Sequence, residues 1–139
     1  MIAIRTAEAG DKDVVFKLAR ELSTSFDVER EAFSASFATL LDSPDAFIAV
    51  AVGSDRVIGY LLGFVHGTFY ANGKVGWIEE VFVTDSFRRH GVGRLLVDCF
   101  EQWAKVYHIR LTALATRRAS PFYLRLGYEE SATYFRKLL

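Results

Sequence analysis

The chain of 139 residues holds one cysteine, two prolines and three histidines, and its 17 basic and 17 acidic side chains cancel to a formal net charge of zero. Each scarcity removes a class of protein. A lone cysteine cannot close an internal disulfide, which excludes a small scaffold held by cross-links. His66, His90 and His108 stand apart without metal-ligand spacing, so no metal site is expected. Zero net charge argues against a nucleic-acid surface or a polybasic membrane patch. No apolar run approaches the ~18 residues of a membrane span, and no secretory leader pattern is present, so a cytoplasmic protein is expected. No repeat, low-complexity stretch or Pro/Gly/Ser-rich linker divides the sequence, leaving a single domain over 1–139.

What is abundant is apolar material. The chain is 51% hydrophobic and 14% aromatic, at a length typical of a single domain with one substantial core. The pattern along it alternates strands and helices. Met1 to Arg5 reads as a strand, and Asp11 as the cap of a helix to Leu22 with Val14, Val15, Leu18 and Ala19 on one face. After a loop from Ser23 to Val28, a second helix from about Glu29 carries Phe33, Phe37, Leu40 and Leu41. Asp42-Ser43-Pro44 stops it. Ala46 to Val52 and Arg56 to His66 form a hairpin about Gly53-Ser54-Asp55, and Asn72-Gly73 turns into a strand from Val75 to Val83. A helix to Tyr107, a strand from Arg110 to Ala115, a short helix from Pro121 to Leu126 and a closing strand from Tyr128 to Lys137 complete the series.

The most informative stretch is 77–95. The strand Trp77-Ile78-Glu79-Glu80-Val81-Phe82-Val83 runs through a polar turn into Arg88-Arg89-His90-Gly91-Val92-Gly93-Arg94. A helix begins at once, with Val92, Leu95, Leu96, Cys99, Phe100 and Trp103 at helical spacing. A glycine-rich loop leading into a helix presents free N–H groups at the positive end of the helix dipole, a cradle for a diphosphate. It is not a Walker A loop, which needs a Gly-Lys-Ser/Thr ending. Nor is it the dinucleotide fingerprint, because Leu96 occupies the third glycine position. The arginines at 88, 89, 94, 117 and 118 suit a polyanion bound at one edge; solvated surface positions are the alternative. No nucleophile elbow is present, and Cys99 falls on the apolar face of its helix.

The loop R-x-x-G-x-G resembles the coenzyme A loop of the GNAT N-acetyltransferase superfamily. A second stretch, Thr116 followed by Ala119-Ser120-Pro121-Phe122-Tyr123-Leu124-Arg125-Leu126-Gly127-Tyr128, resembles that family's N-x-x-A-x-x-L/F-Y-x-x-x-G-F/Y, with Thr116 in place of the usual Asn. The opening Ile4-Arg5-Thr6-Ala7 fits its first strand, so the likeness covers nearly the whole chain. The resemblance implies an α/β fold with a mixed, splayed sheet and the element order βααβββαβαβ. It implies an acetyl-CoA-dependent N-acetyltransferase acting on a small-molecule primary amine by direct attack on the thioester. Protein N-terminal or lysine acetylation and a non-catalytic acyl-CoA sensor are the other readings.

Coenzyme A would be bound by Val81, Phe82 and Val83, by the loop Arg88, Arg89, His90, Gly91, Val92, Gly93 and Arg94, and by Thr116, Ala119, Phe122 and Tyr123. By the same resemblance Glu79 matches a water-linked general base, with Glu80 the other candidate because a bulge can exchange the faces of neighbouring residues. Tyr123 matches the acid that protonates the departing thiolate. Homodimers are common in the superfamily, and no interface is specified by the sequence.

Overall fold

The computed structural model describes residues 1–139. Its elements are β1 (Ile2–Thr6), α1 (Lys12–Leu22), α2 (Arg30–Asp42), β2 (Ala46–Gly53), β3 (Arg56–Gly67), β4 (Lys74–Val83), α3 (Val92–Val106), β5 (Thr112–Leu114) and α4 (Ser120–Arg125). The five strands lie in sequence order; β1 to β4 pair antiparallel, and β5 joins β4 in parallel.

Layering follows from the side-chain alternation of β2. Phe47, Ala49 and Ala51 pack on one face with Leu96, Val97 and Phe100 of α3, whereas Ile48 and Val50 face α1 and α2 with Val15, Leu18 and Phe37. Because both faces are covered, β2 is an unbroken apolar run and not an alternating one. The tight turn to β3 places Ser54 at φ 52° and Asp55 at φ 60°, the doubly left-handed geometry of a two-residue hairpin.

Three expectations change. Asp11 does not cap α1: its carboxylate accepts the Glu8 N–H at 2.7 Å and two bonds from Arg5 at 2.8 and 3.0 Å, tying β1 to the short 3-10 turn before the helix. Leu95 is exposed, and Val97 takes its place in the buried stripe of α3. The closing strand is absent. Beyond the Tyr128 N–H, which donates to the Tyr123 carbonyl at 3.1 Å, the chain makes no backbone hydrogen bond, and residues 129–139 are all exposed. A three-residue β5 offers little edge to pair with, and Glu129-Glu130-Ser131 supplies no apolar face to bury.

The decisive feature of the sheet lies in β4. Its pairing with β3 slips by one residue, Leu62 facing Glu80 while the next residue, Gly63, faces Ile78, so Glu79 is the extra residue of a β-bulge. The pairing of β4 with β5 covers only Gly76 to Ile78. From Glu79 to Val83 the β5-facing edge of β4 has no strand beside it.

Candidate active site

The two strands part where the bulge sits, and the opening leads into a cleft of about 900 Å³. That lies within the usual range for small-molecule sites. Its walls come from the free end of β4, the N-terminus of α3, the 115–119 loop and α4. Every residue expected to hold the coenzyme lines it except His90, which is exposed beside the Phe87 ring.

The loop before α3 acquires its shape locally. Arg89 and Gly91 adopt φ 66° and 77°, and Gly91 forms the left-handed N-cap of α3. Space around Gly91 is open: an added Cβ meets nothing within 4 Å. Gly93 is different, because a Cβ there would come within 3.1 Å of the Phe122 ring, so its absence lets α4 close on α3. The first intrahelical bond runs from the Leu95 N–H to the Gly91 carbonyl. The N–H groups of Val92, Gly93 and Arg94 therefore lack intrahelical partners at the positive end of a 15-residue helix.

Charge is concentrated here. The cleft gathers six arginines against three glutamates in a chain that is neutral as a whole. Arg88 is already engaged within the protein: its Nη1 meets Asp85 at 2.6 Å, its Nε donates to the Val83 carbonyl at 2.9 Å, and its guanidinium lies 5.2 Å from the Phe82 ring centre. It braces the loop. Arg89, Arg94, Arg117, Arg118 and Arg125 have no carboxylate partner. Thr116 accepts the Ala119 N–H at 3.1 Å, so this hydroxyl shapes the turn into α4.

The bulge separates the two glutamates. Ile78 and Val81 both pack toward α3, whereas Glu80 points with Phe82 to the opposite face, where the buried Tyr60 hydroxyl donates to its Oε1 at 2.6 Å. Burial, together with the negative charge and hydrogen bond of Glu80, pushes the Tyr60 phenol far up, so it remains a donor at any ordinary pH. Glu79 has no such donor from Tyr60 and is exposed at the mouth of the cleft. Partial desolvation, then repulsion from Glu80, raises its pKa above the ordinary carboxylate value, against a hydrogen bond from Trp77.

On α4, Tyr123 packs edge-on against Phe122 and Tyr128 at centroid distances of 4.9 and 5.8 Å. No protein group bonds its hydroxyl, and burial raises its pKa, keeping the phenol protonated. The Cys99 thiol is half-buried and likewise raised by burial, which fits a packing residue and not a nucleophile. Sequence reasoning missed Glu21 and Thr24, which bring α1 and its following loop to the cleft, and Arg125. It also missed Tyr60, since a partner 20 residues away across a register slip leaves no local signal.

A family model described as the acetyltransferase (GNAT) family matches residues 15–128. The chain belongs to the acetyltransferase (GNAT) family. Membership places it among the N-acetyltransferases, a family that uses acetyl-CoA. An aminoalkylphosphonate N-acetyltransferase from Salmonella typhimurium is 30% identical over 140 residues, spanning 98% of this chain and 90% of that protein. Glucosamine-6-phosphate N-acetyltransferase from Arabidopsis thaliana shares the fold at TM-score 0.88 and 23% identity, with 99% and 98% of the two chains covered. An aminoglycoside N-acetyltransferase solved in complex with CoA superposes at TM-score 0.82 and 20% identity, over 99% and 95%. No helix is long and apolar enough to cross a membrane.

Proposed function

We propose that this GNAT protein transfers the acetyl group of acetyl-CoA to the primary amine of a small molecule, with Glu79 as general base and Tyr123 as general acid. One observation carries the reading: a single cleft joins the free N-terminus of α3, the unpaired edge of β4, a carboxylate of raised pKa and an unbonded phenol. The amine class of the acceptor is supported by the aminoalkylphosphonate acetyltransferase, a relative that covers almost the whole chain.

The donor set suits coenzyme A. The N–H groups of Val92 to Arg94 and the cations of Arg89 and Arg94 would hold a diphosphate, while the strand-free edge of Val81 to Val83, apart from the Val83 carbonyl that Arg88 engages, offers backbone groups to an amide-bearing arm. The donor supplies a thioester whose C–S bond breaks as the new N–C bond forms. The chain handles the protons. An alkylammonium has a pKa near ~10 and must lose a proton before its nitrogen can attack, and Glu79 takes it directly or through a water. Partial burial and the neighbouring Glu80 raise its pKa, which makes it a stronger base than an ordinary carboxylate. The Tyr123 hydroxyl gives a proton to the departing sulfur and regains one as the amide nitrogen sheds its second. The balance is one ammonium and one thioester to one amide, one thiol and one proton.

The test is a panel of amines presented with acetyl-CoA, followed by release of free thiol. Transfer to short primary amines is the expected result. Tight coenzyme binding with no transfer to any amine or peptide would refute the enzyme assignment in favour of a sensor.

A further inference from the structure

Adjoining the cleft is a second cavity of about 190 Å³ that shares Ile78, Glu79, Ala115, Thr116 and Arg117 with it and is also lined by Trp77 and Tyr134. The two meet where β4 and β5 part, so Glu79 stands on the wall of both. We infer that this smaller cavity seats the acceptor, and that the acceptor is a short primary amine carrying an anionic group, with its ammonium at Glu79 and its anion at Arg117. This rests on the acetyl-transfer reading given above.

Three observations converge on it. The first is size: about 190 Å³ holds roughly six waters at ~30 Å³ each, room for a compact molecule beside the larger cleft. The second is charge. The cavity presents one acidic side chain, Glu79, and one basic one, Arg117. Arg117 is exposed, makes no ion pair and donates no hydrogen bond to the protein, so its fork of N–H groups is available to a carboxylate, phosphate or phosphonate. The third is placement. Tyr134, which lines the cavity, belongs to the terminal segment that forms no strand, and Arg136 of that segment donates to Ser25 Oγ in the loop after α1 at 3.0 Å. An amine without an anionic group would satisfy Glu79 alone, while an amine bearing an anion at matching length satisfies both ends.

The experiment compares aminoethylphosphonate with aminopropanol, an amine of similar length that carries no anionic group, in the whole protein saturated with coenzyme A or acetyl-CoA. Wild type should favour the phosphonate. Arg117→Ala should raise its KM and its calorimetric Kd about tenfold or more, the loss of one charge-assisted hydrogen bond, and so lower the preference for it over aminopropanol by the same factor. Arg117→Lys should recover part of the loss. Arg117 touches no structural partner, so folding is not at stake. A KM for acetyl-CoA that moves instead would hand Arg117 to the coenzyme and overturn the inference, as would equal responses by the two amines. The calorimetric arm separates the two claims. If the phosphonate binds through Arg117 but no acetyl transfer occurs, the reaction is wrong and the anionic-amine site stands. If calorimetry shows no preference for the phosphonate, the site is wrong whatever the turnover.

Discussion

Glu79→Gln is the substitution on which the chemical reading turns. The amide keeps the size of the side chain and removes only its ability to take a proton. General base catalysis contributes roughly 10²–10⁴ in rate, or about 2.7–5.4 kcal/mol at ~1.36 kcal/mol per decade, so turnover at neutral pH should fall by that factor. The pH profile carries more information than the single value. Glu79 works as the carboxylate, and its pKa is raised, so the acid limb of kcat/KM in wild type should lie above the ordinary carboxylate range. In the Gln variant that limb should vanish, and the rate should climb with the fraction of free amine until the two enzymes approach each other at alkaline pH. Glu80→Gln removes the repulsion that helps to raise Glu79; its acid limb should move down while most activity remains. Stability supplies a check independent of turnover. A carboxyl with a raised folded-state pKa contributes stability below its unfolded pKa and loses it as pH rises through the folded value, so Glu79→Gln should melt higher than wild type at neutral pH and converge with it in acid. Loss of activity in Glu80→Gln with Glu79→Gln spared would exchange the two roles. If both were spared, no carboxylate base would operate.

Three further outcomes are expected. Gly91→Asp should fold at a strain cost of roughly 1–2 kcal/mol for its left-handed backbone, since its Cβ meets nothing, and its charge would face the proposed diphosphate; the rise in Tm that coenzyme A is expected to give wild type, worth about 2.7 kcal/mol at 100 Kd, should disappear, and an undiminished shift would move the coenzyme elsewhere. Tyr123→Phe keeps the ring contacts with Phe122 and Tyr128, so calorimetric affinity for coenzyme A should change little while single-turnover transfer falls about tenfold or more; equal turnover would reduce Tyr123 to packing. Asp11→Asn should cost about 1–2 kcal/mol in urea unfolding at neutral pH, less than a fully buried ionic pair because Arg5 is 41% exposed. Asp11 has its pKa lowered by Arg5, so this stabilisation is complete above the unfolded carboxylate pKa and fades as pH falls through the folded one; a difference that persists in strong acid would contradict the ionic account.

What could be read from the sequence was what is decided locally. The turn into α3 was legible because Gly91 must take a positive φ and Gly93 must yield to Phe122, constraints that only glycine meets at low cost. The run Ala46 to Val52 was legible as a strand, and helices α1 and α2 were legible from spacing and from Asp42-Ser43-Pro44. What escaped was non-local. Asp11 looks like a helix cap until Arg5 is folded against it. Arg88 looks like a ligand for phosphate until Asp85 and the Val83 carbonyl engage it. The stretch from Tyr128 looks like a strand until the shortness of β5 leaves it no edge.

The same non-local logic explains how two neighbouring glutamates come to face different surroundings. In a regular strand Ile78 and Glu80 would share a face, and Glu79 would be the sole carboxylate on the other. The slip opposite Leu62 and Gly63 turns Glu80 to the α1/α2 face instead, where the buried Tyr60 donates to it. Glu80 thereby has its negative charge partly satisfied by a phenol that does not titrate in the physiological range. Glu79 is left at the parting of β4 and β5, near that fixed charge, and answers by holding its proton more tightly. Two chemically identical groups thus meet different surroundings: Glu79 has its pKa raised at the parting of the strands, and Glu80, held by Tyr60, is one source of the repulsion that raises it. Removing the Tyr60 hydroxyl in Tyr60→Phe should disturb that division without touching either carboxylate: Glu80 would be freed to move, and the acid limb set by Glu79 should shift while the coenzyme still binds. A profile indistinguishable from wild type would mean that the bulge alone, without Tyr60, separates the pair.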